Sequence, residues 1–264
     1  MEIKTYHKAT SLKEAYQLLN ASTKNILIGG GAWLKMSTQS VETVIDLNAL
    51  NLNQIIDHDD YIEVGSMVTL HDFESHESII SLGKGFLGTA VGSIMGVGFR
   101  NIATVGGSIV GRYSFSDLIT SLVTLPVKLI FYPFKEMPLE SFLLSKEKVT
   151  DILTHIIIEK RSGTGYFKKV SNSGLDFAIL NVAVFKEQGQ YQIAIGSRPG
   201  GALIAHEALD FLNSQPLVND EVIEQTANIV LDTIKLGSNK AASEEYRKAL
   251  AKAYVKRGIK EVSS

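Results

Sequence analysis

Two glycine-rich stretches hold the residues of this sequence best suited to chemistry. The first, residues 28–34, reads Ile-Gly-Gly-Gly-Ala-Trp-Leu and closes the apolar run Ile26–Ile28; the second, residues 101–111, reads NIATVGGSIVG. Bare backbone at the end of a β-like run lets N–H groups approach a phosphate closely. Neither stretch is a standard dinucleotide cradle. The pattern G-x-G-x-x-G started at Gly29 requires glycine where Leu34 stands, and started at Gly96 it requires glycine at Asn101. No G-x-x-x-x-G-K-[ST] occurs. Taken singly, each stretch is read equally well as a tight turn without a ligand. Facing each other, they would form a nest for a pyrophosphate, with amide donors from both sides and no lysine needed.

The remaining chemistry-bearing residues form no comparable pattern. His7, His58, His71, His76, His155 and His206 show no H-E-x-x-H or facial-triad spacing. His71 and His76 read as a solvated helix face, and the run from His58 to Asp60 as a turn before a strand. There is no G-x-S-x-G. The 264 residues contain no cysteine, which excludes disulfides, thiolate-bound zinc, cysteine nucleophiles and cysteine-held iron–sulfur clusters within the chain. A net charge of −2 gives no electrostatic footprint for nucleic acid. The polar start MEIKTYHKATSLKEAYQLL does not read as a secretory signal, and no apolar run reaches membrane-spanning length. A soluble cytoplasmic protein without membrane contact is the expectation.

The elements around the glycines are legible from periodicity. EIKTYHKA reads as a strand. TSLKEAYQLLN reads as a helix capped by Ser11, with Leu12, Ala15, Leu18 and Leu19 on one face. Strands are predicted at 26–28, 43–47 and in YIEVGSMVTL. HDFESHESI and GFLGTAVGSI read as helices, residues 116–125 as a helix and 127–132 as a strand. Beyond about residue 161, GYFKKVS, FAILNVAVFKE and QYQIAIGS read as strands, the last two joined at EQGQ by a hairpin. Three amphipathic helices follow from about Ile204. With 45% hydrophobic residues, the chain can bury a sizeable core.

GGGAWLKM, residues 29–36, resembles the first flavin motif of the FAD-binding subunit of molybdenum hydroxylases, the medium-subunit group of xanthine dehydrogenase and carbon monoxide dehydrogenase. RNIATVGGSIVGRYSFSD, residues 100–117, resembles the second. The resemblance continues in YFKKVSNSGLDFAILNVAV and SEEYRKALAKAYVKRGI and so covers nearly the whole chain. It implies an α+β fold. Two small α/β subdomains, 1–56 and 57–160, form a PCMH-type FAD-binding fold, and residues 161–264 form a three-stranded antiparallel sheet with three helices. It places Ile28, Gly30, Gly31, Ala32 and Leu34 around the FAD pyrophosphate and adjoining groups, and Thr104, Gly107 and Ser108 against the cofactor. Asp117 would accept hydrogen bonds from a cofactor hydroxyl, a role suited to a carboxylate; read from its position alone, it is equally an acidic residue at a helix start. Leu153 and Lys168 match positions that pack against or reach the flavin, although Lys168 reads equally as a solvated strand lysine.

The function implied is electron transfer. Noncovalently bound FAD would link the iron–sulfur clusters of a partner to NAD or another acceptor. The partners implied are a 2Fe–2S subunit and a molybdenum-cofactor subunit, the latter oxidising the organic substrate. Two alternatives compete: a self-contained flavin oxidase of the vanillyl-alcohol-oxidase-like fold, and a non-redox assembly module that has lost tight FAD. The second is raised by departures from the family pattern. Ala32 stands where relatives carry Thr or Ser, and Trp33 where they carry Asp or Glu. GRYSF at 111–115 replaces a smaller stretch and would bring Arg112 and Tyr113 near the flavin edge.

Overall fold

A computed structural model describes residues 2–34, 38–145 and 147–264; Lys35 and Met36 of the first motif lie outside them. The first elements are β1 (Glu2–Lys8), α1 (Leu12–Ala21), β2 (Ile26–Ile28), β3 (Ser40–Asp46), β4 (Ile55–Asp57) and β5 (Tyr61–Gly65). Short helices follow: α2 (Leu70–Ser75), α3 (Glu77–Ser81), α4 (Phe86–Gly92), α5 (Val97–Arg100), α6 (Val105–Val110) and α7 (Asp117–Leu122). Then come β6 (Val127–Tyr132), β7 (Lys135–Pro138), α8 (Leu139–Leu144), β8 (Ile152–Glu159), β9 (Thr164–Val170), β10 (Leu180–Glu187), β11 (Gln190–Gly196) and β12 (Leu203–Ile204). The chain closes with α9 (His206–Asn213), α10 (Asp220–Thr233) and α11 (Glu244–Ser263).

These elements form two compact units that are interleaved in sequence. One comprises Met1–Phe73, Gly96–Gly111 and Val127–Glu159; the other comprises Glu74–Met95, Arg112–Pro126 and Lys160–Ser264.

The first unit holds two sheets. A parallel three-stranded sheet has the order β1-β3-β2, and an antiparallel five-stranded sheet has the order β4-β5-β8-β6-β7. Helix α1 starts where the sequence signals it. Ser11 Oγ accepts the Glu14 N–H at 3.2 Å, satisfying a donor of the first turn, and the Glu14 side chain reaches back to accept the N–H of Thr10, just before the cap, at 2.7 Å. The face predicted for α1 packs on Ile45, Leu47 and Ile152. That packing fixes the end of β3, and so the level at which its neighbour β2 ends and the first glycine loop begins.

The second unit is built on an antiparallel four-stranded sheet of order β12-β11-β10-β9. The sheet has one strand more than expected, because the two-residue β12 pairs with β11 at its edge. The hairpin at EQGQ is present, with Gln188 at φ 49 and Gly189 at φ 80. Positive φ at both central residues suits the right-handed strand twist. One sheet face carries Val182, Val184, Ile193 and Ile195, which share a core with Leu212 of α9, Val230 of α10 and Val255 of α11. Arg247 of α11 is fully buried, and its guanidinium donates to the carbonyls of Ile179, Gly237 and Ala242 and to Asn239 Oδ1 at 2.7–2.9 Å.

Candidate functional site

In the first unit the two glycine-rich stretches meet. A Cβ placed on Gly30 would lie 1.4 Å from the carbonyl oxygen of Ile102, and one on Gly29 would lie 2.7 Å from Thr104 Oγ1. The backbone of the first loop therefore rests directly on residues 102–104, an approach open only to glycine. Gly31 has φ +69, and its outer side faces the Ile28 side chain. Trp33 extends the contact: its ring meets Phe99 edge-on, with centroids 5.1 Å apart. Ile28, Gly30, Gly31, Ala32 and Leu34 are all half-buried. Among the described residues, no acceptor is found for the N–H groups of Gly30, Gly31 or Ala32. They form a donor surface suited to an anion.

The second loop behaves differently. Thr104 caps α6, with Oγ1 accepting from the Gly107 N–H at 3.1 Å. The Ser108 N–H and hydroxyl both donate to the Thr104 carbonyl, at 3.0 and 2.9 Å. The Val105 N–H donates to Val68 and the Gly106 N–H to Ser66, at 2.9 and 2.8 Å. The expectation of amide donors from both loops is thus corrected. The amides of residues 105–108 are taken up by the short helix and its support, and the unpaired amides belong to the first loop. Leu153 is buried in β8 opposite Phe131, and α6 packs on that strand.

Asp117 and Lys168 belong to the second unit. Asp117 opens α7 with 3% of its surface exposed. Its Oδ1 accepts from Asn181 Nδ2 at 2.7 Å; Ser93 Oγ lies 3.3 Å and Lys169 Nζ 3.7 Å from Oδ2. Burial pushes the Asp117 carboxyl above its ordinary value, while Asn181, Lys169 and Ser93 pull the other way. Lys168 is exposed on β9 with Nζ 5.8 Å from the Tyr254 ring centroid. Its neighbour Lys169 projects from the opposite strand face and is the lysine at Asp117. Sequence reasoning missed Lys169, Asn181 and Ser93. In the departing stretch, Arg112 adopts φ 45, Tyr113 stacks on Phe115, and Phe115 stacks on Phe177 with centroids 4.1 Å apart.

Among the described residues, no group of three or more His, Cys, Asp or Glu side chains could hold a metal ion, and no helix is long and apolar enough to cross a membrane.

Comparison with known proteins settles the family. Residues 1–160 match the family described as FAD binding domain in molybdopterin dehydrogenase, and residues 165–262 match the CO dehydrogenase flavoprotein C-terminal domain. The chain belongs to this family. It is 25% identical to the glyceraldehyde dehydrogenase medium chain of Sulfolobus acidocaldarius, over 98% of each chain. It is 24% identical to the xanthine dehydrogenase FAD-binding subunit of Escherichia coli O157:H7, over 97% of this chain and 95% of that one. Its fold matches a chain of carbon monoxide dehydrogenase from Hydrogenophaga pseudoflava with a TM-score of 0.90 at 20% identity, covering 99% of this chain and 97% of that one. A chain of quinoline 2-oxidoreductase from Pseudomonas putida 86 matches with a TM-score of 0.87 at 20% identity, covering 98% and 96%. The chain is thus an FAD-binding oxidoreductase subunit of the molybdenum hydroxylase type. Its residues fit the cofactor: the bare backbone of Gly30 and Gly31, whose amides find no acceptor among the described residues, can receive a diphosphate.

Proposed function

We propose that this chain is the electron-transfer subunit of a hydroxylase complex, holding FAD noncovalently between a partner's iron–sulfur clusters and NAD or another acceptor. The observation that carries this reading is the loop from Gly30 to Ala32. Its amides have no acceptor among the described residues, and it is pressed against residues 102–104. These amides would hold the pyrophosphate, with Ile28 and Leu34 flanking them. Thr104, Gly107, Ser108 and Leu153 would line the cofactor, Asp117 would accept from a cofactor hydroxyl, and Lys168 would reach the flavin. When bound, FAD supplies electron exchange in single and paired steps, which suits a relay between a one-electron donor and a two-electron acceptor. The chain's own residues would bind and orient the cofactor, and with no cysteine in the sequence any cysteine-held cluster that feeds it would belong to a partner.

The partners that complete this chemistry are a 2Fe–2S subunit and a molybdenum-cofactor subunit. A stable interface with either would bury roughly 800 Å² per partner. Purified chain titrated with FAD should turn yellow and be reduced by dithionite, and acid precipitation should release all of its flavin. Xanthine or another hydroxylase substrate should reduce it only after both partner subunits are added. Direct reduction by such a substrate, with molybdenum and iron verified absent, would replace this reading with a self-contained oxidase. A chain that takes up no FAD would be an assembly module.

A further inference from the structure

Lys169 lies in an unusual setting for a lysine. Its side chain is 8% exposed, and Nζ donates to the Ser93 carbonyl at 2.9 Å while standing 3.7 Å from Asp117 Oδ2. Asp117 is also gripped on its other oxygen. Asn181 donates to Oδ1 at 2.7 Å, and Asn181 is itself oriented because its Oδ1 accepts from Thr120 Oγ1 at 2.9 Å. Once that oxygen faces Thr120, the amide nitrogen can only face Asp117. The two carboxylate oxygens are therefore unequal. Oδ1 has a short, fixed donor, whereas Oδ2 has Ser93 Oγ at 3.3 Å and the ammonium beyond hydrogen-bond reach. A carboxylate offers about four acceptor sites, so Oδ2 keeps capacity for one more short bond. Burial disfavours the ionised form of a carboxyl, and an ammonium anchored nearby opposes that effect.

We propose that Lys169 is a positioning residue of the cofactor site, holding the Asp117 carboxylate so that Oδ2 accepts a hydrogen bond from bound FAD. The inference rests on the reading of Asp117 as a cofactor contact. It assigns separate tasks to the neighbours: Asn181 fixes the orientation, the Ser93 carbonyl anchors the ammonium, and Lys169 keeps the acceptor charged. Lys168, one residue earlier, takes no part, because strand alternation sends it to the other face.

The test uses the full-length chain in four variants: Asp117→Asn, Lys169→Met, Lys169→Arg and the double variant Asp117→Asn with Lys169→Met. FAD affinity is measured by calorimetric titration, beside thermal unfolding of the flavin-free protein. Asp117→Asn should weaken FAD about tenfold or more, and Lys169→Met by a similar factor. Lys169→Arg should recover most of the loss. In the Asp117→Asn background, Lys169→Met should add no further weakening, since the lysine acts through the carboxylate. Wild-type affinity in Asp117→Asn would overturn the reading of Asp117 and the proposal with it. Weakened Asp117→Asn with wild-type affinity in Lys169→Met would overturn the proposal alone, as would additive losses in the double variant. Should Lys169→Met not fold, the double variant, in which the pair is neutral, is compared directly with Asp117→Asn, and unequal affinities overturn the proposal.

Discussion

Gly30→Ala is the most informative single change in the first loop. The added Cβ would stand 1.4 Å from the Ile102 carbonyl oxygen and 2.4 Å from its carbon, where ordinary contact begins at 3.4 Å. The obstacle is backbone, so no side chain can swing away, and the two loops must part by about 2 Å. The φ of Gly30 lies outside the left-handed region, so the cost is steric. Overpacking of this kind costs about 3 kcal/mol, the upper part of the usual range. At roughly 2–4 °C per kcal/mol for a protein of this size, the flavin-free protein should melt about 6–12 °C lower. Gly107→Ala is the control. Its Cβ meets Thr104 Oγ1 at 3.0 Å and no other described atom within contact range, and a glycine-to-alanine change inside a helix contributes about 1 kcal/mol in return. Its melting temperature should stay within about 3 °C of wild type while FAD binding weakens, because the new methyl enters the space assigned to the cofactor. Scanning calorimetry of flavin-free protein, followed by FAD titration, separates the two effects. An unchanged melting temperature and unchanged FAD affinity in Gly30→Ala would refute the close approach of the loops.

Trp33→Ala should weaken FAD about tenfold by freeing the first loop from Phe99, and Trp33→Phe should restore most of the affinity; an aromatic pair contributes about 0.5–1.5 kcal/mol beyond its buried area, and titrations read the loss. Arg247→Met should lower stability by about 2–4 kcal/mol, measured by urea unfolding, because the buried Ile179 carbonyl and three less buried acceptors lose their donor together. Glu14, bonded to the N–H and hydroxyl of Thr10 and to His7, has its carboxyl lowered to about 2. The unfolded chain therefore binds the extra proton between the ordinary carboxylate value and that one, so this contribution is present at higher pH and lost as pH falls toward 2; Glu14→Gln should flatten that part of an acid-unfolding curve.

Where one local rule decides, the structure was legible in the sequence. Ser11 and the spacing of Leu12, Ala15, Leu18 and Leu19 fix α1, and the glycine of EQGQ fixes the β10 and β11 hairpin. Helix α6 was not legible, because two of its six residues are glycine, among the poorest helix formers. It exists because Gly106 packs against Ser66, where a Cβ would come within 2.6 Å. Strand β12 was hidden by its length of two residues, which carry no periodicity. At the site, the motifs marked the loops, but they could not say which lysine faces Asp117. That depends on strand register, and adjacent lysines on β9 are related only by alternation. Asn181 did leave a signal. It is the one polar residue in the run FAILNVAVF, and a polar side chain in such a strand requires a buried partner.

The unequal fate of the amides in the two loops explains why consecutive glycines recur in both motifs with different consequences. In the second motif, Gly106 is excluded from bearing a side chain by Ser66, while Gly107 faces space that a methyl would occupy at little structural cost. The first of the pair thus serves the fold and the second leaves room. With the amides of residues 105–108 already bonded, α6 contributes shape more than charge to an anion site. In the proposed site the donors are then Gly30, Gly31 and Ala32, in a loop held by the Ile102 contact, by the positive φ of Gly31 and by the ring of Trp33 on Phe99. This arrangement bears on the two departures from the family pattern. Ala32 removes a hydroxyl but keeps its N–H, the group that the loop presents. In the proposed site Trp33 takes the place of a carboxylate that would repel a diphosphate, and its ring meets Phe99 of α5 instead. On the proposed reading the two departures act in opposite directions on anion binding, and a loop that relies on backbone donors would tolerate both.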